Sequence, residues 1–278
     1  MRPSRWIRIS AAALTSASVL IASPGASAQS MDLSDKWEYG ITPYAWFPSI
    51  HGTLNFDIPP GSSASPVVKI NPSSYLSDLQ FAAMVAGTAR KGAWGVFYDF
   101  VYADLSGLKS QVHDVRGPNG EVSLPVTSDV NTGLRSGIAT VAGTYTILRN
   151  QSAQVDVFGG LRYAGLKTSV DWNFEGPVGL LGKSGSASKT INLTDGIIGV
   201  LGKVRFGDDG KWNVPFELDV GGGNKSNTTS NGIIGIGYQY SWGDLVLAYR
   251  YLYYNMGSDG PIHNMSLAGP ALGASFHW

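Results

Sequence analysis

Apolar and polar residues alternate along most of this chain, which is the pattern of strands that have one apolar face. One example begins at Leu245, where Leu247 and Tyr249 continue the same face and polar or small residues take the other. Ten segments carry this alternation and are predicted as strands. They are Lys36–Phe47, Leu79–Arg90, Trp94–Leu108, Thr132–Leu148, Ala153–Trp172, Ile191–Phe206, Trp212–Gly221, Gly232–Tyr240, Leu245–Tyr254 and Met265–Trp278.

The connections between these strands are alternately short and long. The short connections are rich in residues that reverse a chain easily, and they are Arg90–Ala93, Arg149–Ser152, Gly207–Gly210 and Ser241–Asp244. The long connections are polar and contain Gly or Pro, and they are Pro48–Leu79, Lys109–Asn131, Asn173–Thr190, Gly222–Asn231 and Asn255–Asn264. Transmembrane β-barrels alternate short turns at one end with longer loops at the other. An even number of strands places both chain ends on the side of the short turns.

Composition favours contact with lipid through strands. Only 14% of the residues are charged, whereas about 25% is usual in a soluble domain. No window approaches the ~20 apolar residues of a transmembrane helix. Apolar and polar residues also alternate along the strands of a soluble β-sandwich. Outward Trp, Tyr and Ile on so many strands would, however, make a soluble protein aggregate. The sequence therefore predicts an all-β fold, a transmembrane antiparallel β-barrel of about ten strands. The segment Ile50–Phe56 alternates weakly and is either an extra strand or a hairpin outside the membrane. Strand counts of eight and twelve therefore remain as alternatives.

Both ends of the chain carry export features. Residues 1–28 have three arginines, a short apolar stretch and a small-residue cleavage site at Ala26–Ala28, which predict a signal peptide that directs the chain to the Sec pathway. The barrel domain is then 29–278. The last strand ends on Gly273, Phe276 and Trp278, spaced as in the terminal strand that Gram-negative barrels present to their assembly machinery. Ala271 departs from that pattern, which usually has a polar residue there.

Several motifs resemble one group of proteins. The motifs are Trp37–Tyr39, Pro43–Trp46, Gly52–Thr53, Arg90–Gly95 and Gly269–Gly273. Together they are similar to small proteobacterial outer-membrane β-barrel proteins, porin-like or outer-membrane protein A-type barrels that are largely of unassigned function. The resemblance implies a location in the cell outer membrane. It also implies contact with outer-membrane lipid, lipopolysaccharide, periplasmic chaperones and the barrel-assembly machinery, and it implies no particular chemistry.

If the aromatic faces contact lipid, the charged residues face the lumen. A polar network is expected there, formed by Glu38, Asp99, Asp156, Arg162, Glu217, Asp219 and Arg250, with Arg90 and Lys203 on the same side. An Arg or Lys facing mid-membrane lipid would cost about 2–4 kcal/mol, which favours the inward placement. Arg162 and Arg250 are expected to pair with carboxylates such as Asp99 and Glu217. A lumen of this size is either filled by ion-paired side chains or a narrow pore for small solutes. Its mixed charges predict no strong ion selectivity.

Catalytic and cofactor motifs are weak in this sequence. Three histidines, His51, His113 and His263, fall in the expected outer loops and could meet Asp57, Asp114 or Asp259 at the rim. A rim hydrolase acting on lipid A or peptides is therefore a distant alternative, because no nucleophile and base spacing is recognisable. The sequence has no cysteine and no pair of histidines at the spacing of metal ligands, so no metal site is expected. No cofactor is expected either.

The charge of the chain argues against one class of partner, nucleic acid. Without residues 1–28 the chain has 17 basic and 20 acidic residues, a balance that does not suit nucleic-acid binding.

The segment Gly221–Ser226 has the composition of a phosphate-binding loop without its spacing, and a flexible outer loop is expected. The segment Asn71–Leu79 is either a short helix over the barrel mouth, capped by Ser73 or Ser74, or plain loop.

Overall fold

The structure is a computed structural model. It describes residues 33–54, 67–76, 79–111, 115–116, 123–124, 128–174, 184–223, 225–256 and 262–278. The predicted signal peptide lies outside these residues. The strands and the one helix of the described part follow in chain order. They are β1 Trp37–Trp46, β2 Ser49–Leu54, β3 Val67–Ile70, α1 Pro72–Tyr75, β4 Phe81–Lys91, β5 Trp94–Gln111, β6 Val115–Arg116, β7 Ser123–Leu124, β8 Ser128–Arg149, β9 Ala153–Phe174, β10 Ser184–Phe206, β11 Trp212–Gly223, β12 Thr228–Gln239, β13 Asp244–Asn255 and β14 Ile262–His277.

Ten of the described strands close into an antiparallel barrel in the order β1, β4, β5, β8, β9, β10, β11, β12, β13 and β14. The first and last strands close it, with Gly40 opposite His277 and Trp46 opposite Ala271. A closed barrel pairs the backbone of every strand with two neighbours, which a membrane interior requires. The expectation of about ten strands is confirmed.

Short turns join the strands at one end of the barrel, here called the turn end. The opposite end, with the longer connections, is the loop end. All four predicted turns lie between the strands as expected. In three of them a glycine takes a positive φ, Gly92 at 61°, Gly207 at 84° and Gly243 at 153°, which residues with a Cβ rarely adopt.

Several strands extend farther toward the loop end than the alternation predicted. β8 and β9 have 22 residues each and β10 has 23, although a spanning strand needs about 9–11. The expected long loops Lys109–Asn131 and Asn173–Thr190 are therefore partly strand. The loop expected at Gly222–Asn231 is shorter than predicted, because β11 continues to Gly223 and β12 begins at Thr228. Backbone pairing continues where the sequence is polar, so hydrophobic alternation underestimates strand length there.

The segment between β1 and β4 forms a small structure at the loop end. β2 pairs with β14 and with β3, so the described part of the weakly alternating segment Ile50–Phe56, which ends at Leu54, is a strand. The expected helix is present as α1, but the capping assignment to Ser73 or Ser74 is wrong. Asn71 occupies the N-cap position without a side-chain hydrogen bond, and Ser73 lies within the helix. Pro72 explains the earlier start, because its fixed φ suits the first turn.

The outer face of the barrel is apolar and aromatic. Exposed residues alternate with buried ones along the strands, as at Ile198, Leu218 and Tyr249, which are 68%, 57% and 54% exposed. Near the turn end, rings lie in contact around part of the circumference. This aromatic band consists of Phe206, Trp212, Tyr238, Tyr240, Trp242 and Phe276. Such bands are typical of membrane–water interfaces. No helix in the described part of the chain is long and apolar enough to span a membrane.

Candidate functional site in the barrel lumen

The residues expected in the lumen all lie on the inward face of their strands. Seven of them are buried, with relative exposures of 7% or less: Arg90, Asp99, Asp156, Arg162, Glu217, Asp219 and Arg250. Glu38 faces the same way but lies near the turn end, where its side chain is 37% exposed. The inward strand positions thus bring acidic and basic groups from opposite walls into one interior.

Arg162 and Asp219 form the first part of a polar layer across the middle of the barrel. Arg162 Nη1 and Nη2 donate to the two carboxylate oxygens of Asp219 at 2.8 and 2.7 Å. Its Nε donates to Thr140 Oγ1 at 3.2 Å. Two parallel bonds between a guanidinium and a carboxylate fix both groups more firmly than a single contact.

Arg250 forms the second part of this layer. Its Nη2 lies 2.7 Å from Asp99 Oδ2, and its Nη1 donates to the hydroxyl of Tyr44 at 2.9 Å. The same hydroxyl donates to Asp99 Oδ1 at 2.5 Å. The guanidinium also lies over the ring of Trp46, 4.8 Å from its centroid. Arg250 is therefore held on several sides, by charge, hydrogen bonds and an aromatic face.

Asn231 joins the two parts into one network. Its amide nitrogen donates to Glu217 Oε1 at 2.8 Å and to Asp219 Oδ2 at 3.0 Å. Its amide oxygen accepts from Arg250 Nε at 3.0 Å. The two arginines and three carboxylates of the middle layer are thus linked through one side chain. The expected partners differ in detail, since Arg162 binds Asp219 and Glu217 contacts Asn231.

Further ion pairs occupy the lumen nearer the turn end. Arg90 binds Asp156, which also accepts from Thr146 Oγ1 at 2.6 Å. Arg149 Nη1 lies 2.9 Å from Glu38 Oε2, at the rim. A third pair joins Lys203 Nζ to Asp244 Oδ2 at 3.1 Å, and His277 Nε2 lies 3.2 Å from the same oxygen. The charged layers therefore extend from the rim to mid-height.

Sequence reasoning missed several members of this interior. They are Tyr44, Arg149, Asp195, Asn231 and Asp244. Asp195 is fully buried and accepts from Ser226 Oγ, and strand parity could have found it because it shares the inward face with Lys203. Tyr44 shares the face of Glu38 in the same way, so strand parity could have found it as well.

Apolar side chains fill the lumen on both sides of the middle polar layer. Toward the loop end the buried cluster consists of Trp46, Val101, Ile138, Ala164, Leu193, Leu252, Tyr254, Leu267 and Ala271. Toward the turn end a smaller cluster consists of Phe97, Ala142, Phe158 and Ile197. Leu252 and Tyr254 have no exposed surface. The interior is therefore a stack of apolar and ion-paired layers.

Two of the three rim histidines lie among the described residues. His51 lies in β2 and is partly buried, whereas His263 is exposed in β14. His113 lies outside the described residues. The three aspartates considered as their partners, Asp57, Asp114 and Asp259, lie outside them as well. The described residues hold no group of three or more His, Asp or Glu side chains suited to a metal.

Comparison with known proteins identifies the fold. No protein-family profile matches the chain, and no curated protein matches its sequence. Among solved structures, the outer membrane protease OmpT from Escherichia coli is similar with a TM-score of 0.52 at 10% identity, over 90% of this chain and 99% of OmpT. The translocator domain of the autotransporter NalP from Neisseria meningitidis is less similar to this chain, with a TM-score of 0.38 at 14% identity, over 88% of this chain and 90% of that domain. Ail from Yersinia pestis follows, with a TM-score of 0.34 at 11% identity over 87% and 99%. The chain thus has the fold of an outer-membrane β-barrel protein.

Proposed function

We propose that this protein is an integral outer-membrane barrel with a filled, non-conducting lumen and a structural or surface-binding role. In this proposal, residues 1–28 direct export through the Sec pathway and are removed. The mature barrel then contacts outer-membrane lipid and lipopolysaccharide, after delivery by periplasmic chaperones and the barrel-assembly machinery. The loop-end extensions of β8, β9 and β10 supply the surface for external contacts.

Burial of the inward side chains carries this proposal. A water-filled pore leaves the side chains that line it accessible to solvent. Here Asp156, Arg162 and Asp195 have no exposed surface, and Arg250 is 1% exposed. The apolar clusters on either side of the middle layer offer few polar partners to an ordered water column. Ions crossing the barrel would have to displace paired charges that are costly to leave unpaired.

Conductance in planar lipid bilayers tests the proposal. The purified mature protein is expected to insert without discrete conductance steps. The double variant D99A/R250A removes one whole ion pair from the middle layer and is expected to give steps. The matched control is F100A/Y249A, which truncates two outward-facing side chains of the same strands and is expected to stay silent. Regular steps from the wild-type protein would overturn the proposal and favour the narrow pore.

The proposal assigns no catalytic role. We compare cleavage of peptides and of lipid A by the wild-type protein and by a variant with alanine in place of His51, His113 and His263. No difference in cleavage between the two proteins is expected. Cleavage by the wild-type protein that the triple variant loses would favour a hydrolase at the rim instead.

A further inference from the structure

A cavity of about 160 Å³ lies at the loop end of the barrel, separate from the ion pairs. Its walls come from β1, β4, β5, β8 and β14, and α1 and β2 contribute from the segment that follows β1. The apolar side chains that define it include Trp46, Ile50, Met84, Val101, Ile138 and Leu267. The cavity therefore belongs to the mouth of the barrel and not to its lipid-facing surface.

Three polar side-chain groups around this cavity, those of Trp46, Tyr75 and Tyr44, are engaged by hydrogen bonds elsewhere. Trp46 Nε1 donates to the carbonyl of Gly269 at 3.3 Å, and the hydroxyl of Tyr75 donates to the carbonyl of Pro48 at 3.0 Å. The hydroxyl of Tyr44 is held by Asp99. Burial raises the pKa of Tyr75 to about 12, so this wall stays uncharged at ordinary pH. A buried water needs two to four polar partners, and these walls offer few.

Trp46 separates the cavity from the charged middle layer. Its indole carries the guanidinium of Arg250 on its ring and is itself 3% exposed. Its backbone N–H donates to the sulfur of Met84 at 3.1 Å, which holds a polarisable thioether in the cavity wall. Thioethers adapt their shape and contact aromatic rings favourably. The wall thus suits an apolar or aromatic occupant and offers no charge to a polar one.

We infer that this cavity binds a small, uncharged, apolar molecule of about the size of one aromatic ring. An engineered cavity of about 150 Å³ with apolar walls, in another protein, stays dry and binds benzene or xenon. The present cavity has similar volume and similar walls. The binding does not depend on the lumen being closed to ions, so a failed binding test and a conducting barrel are separate outcomes.

Fluorobenzene binding measured by fluorine NMR tests this inference on the full mature barrel in detergent micelles. Saturable binding of one molecule per barrel is expected, above the linear partitioning seen with empty micelles. Val101→Phe fills the cavity and is expected to abolish the saturable part. Val141→Phe makes the same change on the outward face of β8, where Val141 is 50% exposed, and is expected to bind like the wild type. Linear partitioning alone in the wild type, or equal binding by the Val101 variant, would overturn the inference.

A second variant keeps the test decisive if Val101→Phe does not fold. Ile138→Ala removes three carbons from the cavity wall and enlarges the cavity. Its affinity for fluorotoluene relative to fluorobenzene is expected to rise above the wild-type ratio. An unchanged ratio would place the probe somewhere other than this cavity and would contradict the inference.

Discussion

Arg162 reaches past a whole strand to bind Asp219, since β10 lies between the strands that carry them. Both side chains are completely shielded from solvent. Their pairing therefore joins two parts of the barrel wall through its interior, and neither charge has water as an alternative partner. A buried pair of this kind need not add net stability, but breaking it leaves one charge buried and uncompensated.

The first prediction concerns this pair. Asp219→Ala is expected to lower the free energy of unfolding by about 3–5 kcal/mol, because Arg162 then loses its carboxylate partner. The double variant R162M/D219L is expected to recover most of that loss, since it removes both charges together. Urea unfolding of the barrel in lipid vesicles, followed by tryptophan fluorescence, measures both changes.

The exposed pair of Lys211 and Asp209 is the control for this measurement. Its side chains are 53% and 51% exposed, and Asp209→Ala is expected to cost less than about 1 kcal/mol. Equal losses for Asp209→Ala and Asp219→Ala would mean that the lumenal pair is solvated.

The second prediction concerns the lipid-facing surface. Leu218→Arg places a charge on the outer face beside the middle layer, where Leu218 is 57% exposed. The expected loss is about 2–4 kcal/mol in vesicles, because the charge enters the hydrocarbon. Leu245→Arg makes the same change at the turn end of β13 and is expected to cost about 0–1 kcal/mol. Indistinguishable losses would argue that the outer face does not contact lipid at mid-height.

The alternation of residues predicted most of the fold because lipid imposes one rule on every strand. An outward position such as Leu218 must be apolar, so charges such as Asp219 fall on the other face. This fixes the strands, their faces and which residues enter the lumen. The rule ends where the strands leave the membrane, which is why the polar ends of β8, β9 and β10 were missed.

The pairing inside the lumen could not be predicted in the same way. Alternation gives the face of a residue but not its height relative to strands on the opposite wall, which depends on strand tilt and register. Glu217 was therefore expected to bind an arginine, whereas Asn231 lies between it and Arg250. The prediction of the residue that caps α1 was wrong for a local reason. Pro72 begins the helix, so Ser73 lies inside it and not at its N-cap.

The third prediction concerns the last residue. Trp278 is 68% exposed, and its ring stacks on Tyr39 with centroids 6.0 Å apart. If the chain end is an assembly signal, Trp278→Ala should reduce the amount of assembled barrel in cells several-fold, whereas the refolded variant should keep nearly wild-type stability. Heat-modified mobility on gels measures the assembled fraction.

Trp94 provides the matched control for that experiment. It is 70% exposed at the same end of the barrel and packs against Tyr145, with ring centroids 4.8 Å apart. Trp94→Ala removes an equal ring without altering the terminus, so assembly should stay close to wild type. Equal assembly defects for Trp94→Ala and Trp278→Ala would assign the effect to the loss of an exposed ring at the turn end instead of a terminal signal.

The filled lumen is tested most directly by the accessibility of its walls to a charged reagent. The chain contains no cysteine, so single cysteines report one position each. Ala142 and Ala164 face inward on either side of the middle layer and are 2% and 7% exposed, whereas Gln151 lies exposed in a turn. A water-soluble thiosulfonate is expected to modify Gln151→Cys quickly and to leave Ala142→Cys and Ala164→Cys unmodified in the folded barrel. Modification of both lumenal cysteines at the rate of the turn position would contradict a closed interior.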